Sequence, residues 1–324
     1  MFYQTPLKSA AVAVVTVALL AYAAFGGYFA REIVIEIALL ATIAIALDLV
    51  AGYGGMISLC HGAIYGIGAY MFGVLTALTG TPAWLAALAA VGATAFFGWA
   101  VGAIAAGTSG IFFIMATLAF GQMAYVIVFE ARALGGDDGL AGVARFDLSA
   151  IGINFQDSLV FAASCVAAMV LAYVVAAVVL RSSFGRTLSG IHSNEDRMKA
   201  LGLSTWRHKA SAFAISGAIA GMAGLLGAQH TQYISPEYLV WTLSGEALVV
   251  VILGGIGTLA GPVIGAALLV ALQHFIGGYT DHWHMFIGAI LIVAVMVGGR
   301  GLFGEIEHRL TRGRVSADGV EARA

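Results

Sequence analysis

The sequence predicts an all-α, polytopic transmembrane bundle of about ten helical spans, some of them short or broken. Three observations lead there. Only 10% of the 324 residues are charged and 61% are hydrophobic, whereas soluble domains carry about 25% charged residues. Apolar stretches recur along the whole chain, many near the roughly 20 residues that cross a bilayer. Forty-three glycines against four prolines fit helices that pack closely through small residues.

The stretches fall at 9–30, 33–51, 58–79, 83–106, 110–129, 158–180, 209–229, 244–259, 261–277 and 283–299. The first follows a single basic residue, Lys8, and Ala21-Tyr22-Ala23 loosely resembles a signal-peptidase site. Its length and the spans that follow make it the first membrane helix instead. Residues 242–277 read either as two short spans or as one span plus a re-entrant piece. Residues 1–299 form one membrane domain with a cytoplasmic loop at 181–209, and 300–324 form a cytoplasmic tail.

Basic residues set the orientation. Of fifteen, six lie in 181–209 (Arg181, Arg186, Arg197, Lys199, Arg207, Lys209) and five in the tail from Arg300 to Arg323. Lys and Arg gather on the cytoplasmic side, so both segments belong there, and the span count puts the N-terminus inside as well. The Gly-rich acidic segment 130–157 then lies outside. A net charge of −2 points to no nucleic acid. Cys60 and Cys165 sit in apolar runs and read as small fillers, not as a disulfide framework.

The basic loop carries a pattern of its own. Ser193 or Asn194 can cap a short helix with Glu195 and Asp196 in its first turn. Gly202 falls where such a helix stops in a left-handed conformation. Met198 and Leu201, three apart, would share a face. The pattern suits partner docking, and equally a solvated loop touching anionic lipid.

Two glycine-rich segments interrupt apolar runs: Asp48–Tyr70, with Ser58 and His61, and Glu246–Gly265, with Gly254-Gly255-Ile256-Gly257. Such pairs point to a transport pathway, or they let helices cross tightly. Asp48 and Glu246 are the ionisable residues deepest in apolar surroundings. They would line a pathway or anchor neighbouring helices, and His61 reads in the same two ways. His282 and His284 beside Asp281 have no further ligands near them, so no metal site is expected. No phosphate loop, nucleophile elbow or zinc-protease motif occurs, which leaves an enzyme without residues and the chain without bound ATP. One alternative is a self-sufficient channel or secondary transporter with Asp48, His61 and Glu246 as an ion or proton relay. A structural membrane scaffold is another.

Four ordered stretches carry a family resemblance. They are Gly52-Tyr53-Gly54-Gly55 through Gly66-Ile67-Gly68-Ala69-Tyr70, and Thr117–Phe120 with Gly135–Leu140. The others are Phe184–Leu188 with Asn194-Glu195 and Ala200–Gly202, and Ile234–Pro236 with Ser244–Glu246 and Leu253–Pro262. The chain resembles the permease subunits of branched-chain amino acid ABC importers, of the LivM type. The resemblance implies that the segment holding Arg186, Asn194, Glu195, Asp196, Met198, Ala200, Leu201 and Gly202 is an ATPase-coupling loop. On the pathway reading of the two glycine-rich segments, Asp48, Ser58, His61 and Glu246 would line the translocation route. The resemblance also implies a homologous second permease, two cytoplasmic ATPase subunits that hold ATP-Mg, a periplasmic solute-binding protein and a bacterial inner membrane. Cys60 stands where the family usually has Gly, Asp48 where Asn is commoner, and Asp196–Lys199 where small residues are usual. These departures bear on the substrate, which in the family extends to urea, short amides and small carboxylates.

Overall fold

A computed structural model describes residues 6–146, 155–278 and five positions between 285 and 292. Most of the tenth expected span, the Asp281–His284 cluster and the tail from 300 lie outside the described residues. The described chain is helical, apart from one two-residue antiparallel pairing of β1 (Leu140–Ala141) with β2 (Tyr233–Ile234).

In chain order the helices are α1 (Pro6–Phe25), α2 (Tyr28–Ala51), α3 (His61–Ala77), α4 (Ala83–Ala105), α5 (Ile111–Glu130) and α6 (Ser158–Arg181). They continue with α7 (Ser183–Ser193), α8 (Glu195–Ala200), α9 (Thr205–Thr231), α10 (Trp241–Gly254) and α11 (Gly261–Gly277). Six of these, α1, α2, α4, α5, α6 and α9, are long and apolar enough to cross a bilayer.

The first boundary differs from the sequence reading. The chain breaks at Gly26-Gly27, not between residues 30 and 33, so Arg31 and Glu32 lie inside α2. Both are satisfied there: Arg31 donates to the Ser158 hydroxyl at 3.0 Å and lies 3.8 Å from Asp157, and Glu32 pairs with His230 at 3.0 Å. An intrahelical charge that finds partners does not end a helix.

Packing divides the bundle into a centre and a ring. Helices α2 and α9 are largely buried, while α1, α4 and α5 turn most of their residues outward. The outward faces carry large apolar side chains such as Val14, Leu88, Phe96, Phe112 and Ile127, a surface suited to lipid or to another membrane subunit. α9 crosses α4 where Gly217 meets Gly98 and Thr94 so closely that a Cβ would strike backbone. Close approach of this kind drives association where no hydrophobic force acts between helices.

Two short helix pairs depart from simple crossings. After α2 the backbone loses helical form over residues 52–60 and re-enters as α3 at His61, with Ser58 in the break. Near it, α10 ends at Gly254 and α11 begins at Gly261. The intervening turn packs on the end of α2, whereas His274, late in α11, pairs with Glu36 three turns back along α2. The α10–α11 unit is therefore a hairpin of two short apolar helices that folds back on itself.

Candidate functional site

Two regions collect the residues singled out in the sequence. The first is the double break inside the bundle. Gly257 and Leu259 donate their backbone N–H groups to the two Asp48 carboxylate oxygens, at 2.7 and 3.1 Å. Asp48 is fully buried, as is Lys8 on α1. A carboxylate at this depth needs such donors, and the turn needs an acceptor because its own N–H groups leave the helical ladder. Gly52 permits the contact, since a Cβ there would lie 2.5 Å from the Gly257 nitrogen.

His61 belongs to a separate network. Its Nε2 lies 2.7 Å from the Ser216 hydroxyl and its Nδ1 3.3 Å from Ser58. Ser216 spends its proton on the Ala46 carbonyl at 2.6 Å, so it can only accept from His61, which fixes the proton on Nε2. Glu246 accepts from Gln273 at 2.9 Å. Among the described residues no hydrogen bond joins Asp48, His61 and Glu246 to one another; each has its own partners. Cys60 and Cys165 are free and buried.

The second region is the basic loop, which holds two helices where one was expected. The eleven-residue α7 buries Gly185, Leu188 and Ile191. That spacing was readable as an apolar stripe. The six-residue α8 follows at once. Asn194, not Ser193, is its cap, accepting from the Arg197 N–H at 2.9 Å. At the other end Gly202 adopts φ +79°, its N–H donates to Lys199 O, and Leu203 N–H donates to Met198 O. This is a complete Schellman stop.

The expected shared face of Met198 and Leu201 does not form. Met198 turns inward against Gly190, while Leu201, the residue at which helical geometry ends, is 70% exposed. Arg186 donates to the Arg181 carbonyl at 3.2 Å. Asp196 lies 3.8 Å from Lys199 with its side chain in the open, and Ala200 is exposed.

Lys209, read only as part of the charge bias, holds α8 in place. Its buried ammonium donates to Glu195 at 2.6 Å and to the Ala106 carbonyl at 3.1 Å, so it ties α8, α9 and the end of α4 together. Burial alone would push the Glu195 carboxyl up, but the hydrogen bond and charge of Lys209, with Lys199, hold it below the usual carboxylate range. Between this loop and the rest of the chain lies a cavity of about 690 Å³ lined by Gly55, Ser109, His192, Glu195 and Lys209, among others. At its wall, Gly55 (φ +69°) leaves room only for the His192 ring. The α2–α3 break thus touches the end of α7 directly.

A central helical bundle with an internal double break, and a capped helix on a basic loop, define a polytopic membrane protein of the permease class. The chain belongs to the family described as branched-chain amino acid transport system / permease component, whose model matches residues 29–296. It is 26% identical to the high-affinity branched-chain amino acid transport system permease protein LivM of Escherichia coli, covering 94% of this chain and 78% of that one. It is 27% identical to the corresponding LivH of the same organism, over 82% of this chain and 92% of that one. It is also 26% identical to the autoinducer 2 import system permease protein LsrC of Salmonella paratyphi B, over 44% of each. No solved structure gives a significant match. The protein is the permease component of an ABC-type importer and not itself an enzyme.

Proposed function

We propose that this chain is one half of a two-permease pore that imports branched-chain amino acids or related small amides and carboxylates. It sits in a bacterial inner membrane, among lipid, with both termini cytoplasmic. Two ATPase subunits bind and hydrolyse ATP-Mg on the side of the basic loop, and a periplasmic binding protein delivers substrate to the opposite side. Helix α8 is the piece that docks in an ATPase groove. Asp48, Ser58, His61 and Glu246 line or brace the route.

The observation that carries the reading is the construction of α8. It is capped at one end by Asn194, stopped at the other by Gly202, and pinned by Lys209 to two membrane helices. A contact that must transmit movement has to be rigid. The Gly55–His192 contact supplies the next link, from the loop to the broken helix.

The test is reconstitution of the chain with its neighbouring permease, ATPase and binding-protein genes in liposomes. ATP-dependent uptake, driven only when the binding protein is present, is the expected result. Uptake without ATP, or a purified chain that captures no ATPase, would sink the proposal. Glu246→Gln should lower uptake while leaving assembly intact; unchanged uptake would return Glu246 to a purely structural role.

A further inference from the structure

At the end of the bundle opposite the basic loop, α2, α3, α9 and α10 enclose a cavity of about 290 Å³, at the small end of ligand sites. Three carboxylates line it: Glu32 and Glu36, one turn apart on α2, and Glu246 on α10. Two imidazoles stand against them, His230 on Glu32 and His274 on Glu36 at 3.0 and 2.9 Å, while Glu246 has only the neutral amide of Gln273. Acidic side chains outnumber the two imidazoles that face them. Arg145, near His230, keeps its charge, but its hydrogen bonds go to the carbonyls of Gln229, His230 and Phe155 and not to these carboxylates.

One polar atom here has no protein partner among the described residues: His230 Nδ1, which is buried and unpaired. A buried polar atom left open in this way calls for a partner that is not part of the chain. Tyr65 also lines the cavity, 9% exposed. The remaining wall is aliphatic, from Leu39, Leu40 and Ile43 on α2 and Leu243 on α10.

We infer that this cavity is a waypoint on the permease that holds the ammonium group of a small aliphatic solute and turns away the carboxylate-only analogue. The inference rests on the importer reading above and narrows its solute class to the members that carry an ammonium, through a charge filter in the permease itself. A metal ion fits less well, because among the described residues no three carboxylate, imidazole or thiol groups converge closely enough to ligate one. An ammonium on an aliphatic body satisfies the carboxylates, offers a donor to the Tyr65 oxygen and covers the leucines. Glu32, Glu36 and His230 lie close to the Gly26-Gly27 break and the end of α9, where α2 and α9 approach the surface, so the cavity meets solute at the entry side.

The test uses the whole assembly, this chain with its second permease and ATPases, in lipid nanodiscs without the binding protein. Saturation-transfer NMR titrations compare leucinamide, leucine and 4-methylpentanoate: one skeleton bearing an ammonium only, both groups, or a carboxylate only. Leucinamide and leucine should take up saturation and 4-methylpentanoate should not. Glu246→Gln and Glu32→Gln should each weaken leucinamide roughly tenfold, and Tyr65→Phe, which removes one oxygen, by less. Equal saturation of 4-methylpentanoate, or variants that bind leucinamide like the parent, would overturn the inference. So would displacement of leucinamide by sodium in place of choline, which would make the site a metal-cation site. ATP hydrolysis by the same sample separates the two readings. An active assembly without ammonium selectivity removes only the waypoint, whereas a chain that recruits no ATPase removes the importer reading beneath it.

Discussion

Gly202 and Gly52 both end a helix, yet they do so by different physics. Gly202 is exposed, with nothing within 4 Å of where a Cβ would stand, and its value lies in φ +79° alone. Gly52 has an ordinary φ of −73°, and its value lies in space, because the Gly257 turn and the Asp48 carboxylate press against it. The cytoplasmic-type stop is a local backbone choice made by a six-residue segment. The internal break is a tertiary joint between α2 and the α10–α11 hairpin, and no single segment forms it. Substitutions at the joint should therefore be costly and hard to rescue, while those at the loop should be mild for folding and specific for coupling.

The sharpest way to break this contrast is Asp48→Ala. It leaves the N–H groups of Gly257 and Leu259 buried without an acceptor, and we expect a loss of about 2–5 kcal/mol, read as a lower melting temperature in detergent. Asp48→Asn keeps one acceptor oxygen and should recover most of the loss. If the alanine variant melts with the parent, the joint is not held by Asp48.

Gly52→Ala should follow, at about 1–3 kcal/mol, because the added methyl overfills a packed contact. Here no larger side chain should rescue, and a fully stable alanine variant would show that the joint can shift. Lys209→Met comes next. Glu195 is partly solvated, so the cost should be about 1–2 kcal/mol, and the main effect should fall on coupling. Substrate-stimulated ATP hydrolysis should drop more than basal hydrolysis does, and an equal drop in both would speak against a coupling role.

The same pair predicts a pH dependence. The Glu195 carboxyl is held below its unfolded value, so its stabilising contribution is complete above the ordinary carboxylate range. It is lost as pH falls through the lowered folded value. Retention of ATPase subunits on immobilised permease should decline in that acid window, and Lys209→Met should flatten the decline.

The smallest effect is expected at Gly202. Gly202→Val forces a β-branched residue into the left-handed region at about 1–2 kcal/mol, and Gly202→Asn should relieve most of it. Wild-type ATPase recruitment by the valine variant would mean that the stop does not set the docking geometry.

Much of the loop was legible in the sequence because its determinants are local. Asn194 three residues before Arg197, acidic residues in the first turn and a glycine two residues past the last helical one are contacts within a single short stretch. The second helix, α7, is legible too, through the apolar spacing of Phe184, Leu188 and Ile191. The cavity was less so. Glu32 falls between the expected spans 9–30 and 33–51 and Glu36 inside the second, because a carboxylate inside a membrane helix is disfavoured until its partner is known. The partners, His230 and His274, lie 198 and 238 residues away from the carboxylates they meet.

By itself the sequence determined the class: membrane helices from length and apolarity, and the capped helix from residue types within one turn. These depend on transfer free energy and on nearest-neighbour backbone chemistry, both of which act through positions close in the chain. Only the tertiary structure decided that Asp48 serves the turn at Gly257 and Leu259, that Lys209 pins α8, and that three carboxylates share one cavity. A buried charge is tolerable only with its partners in place, and those partners come from helices that the sequence keeps far apart.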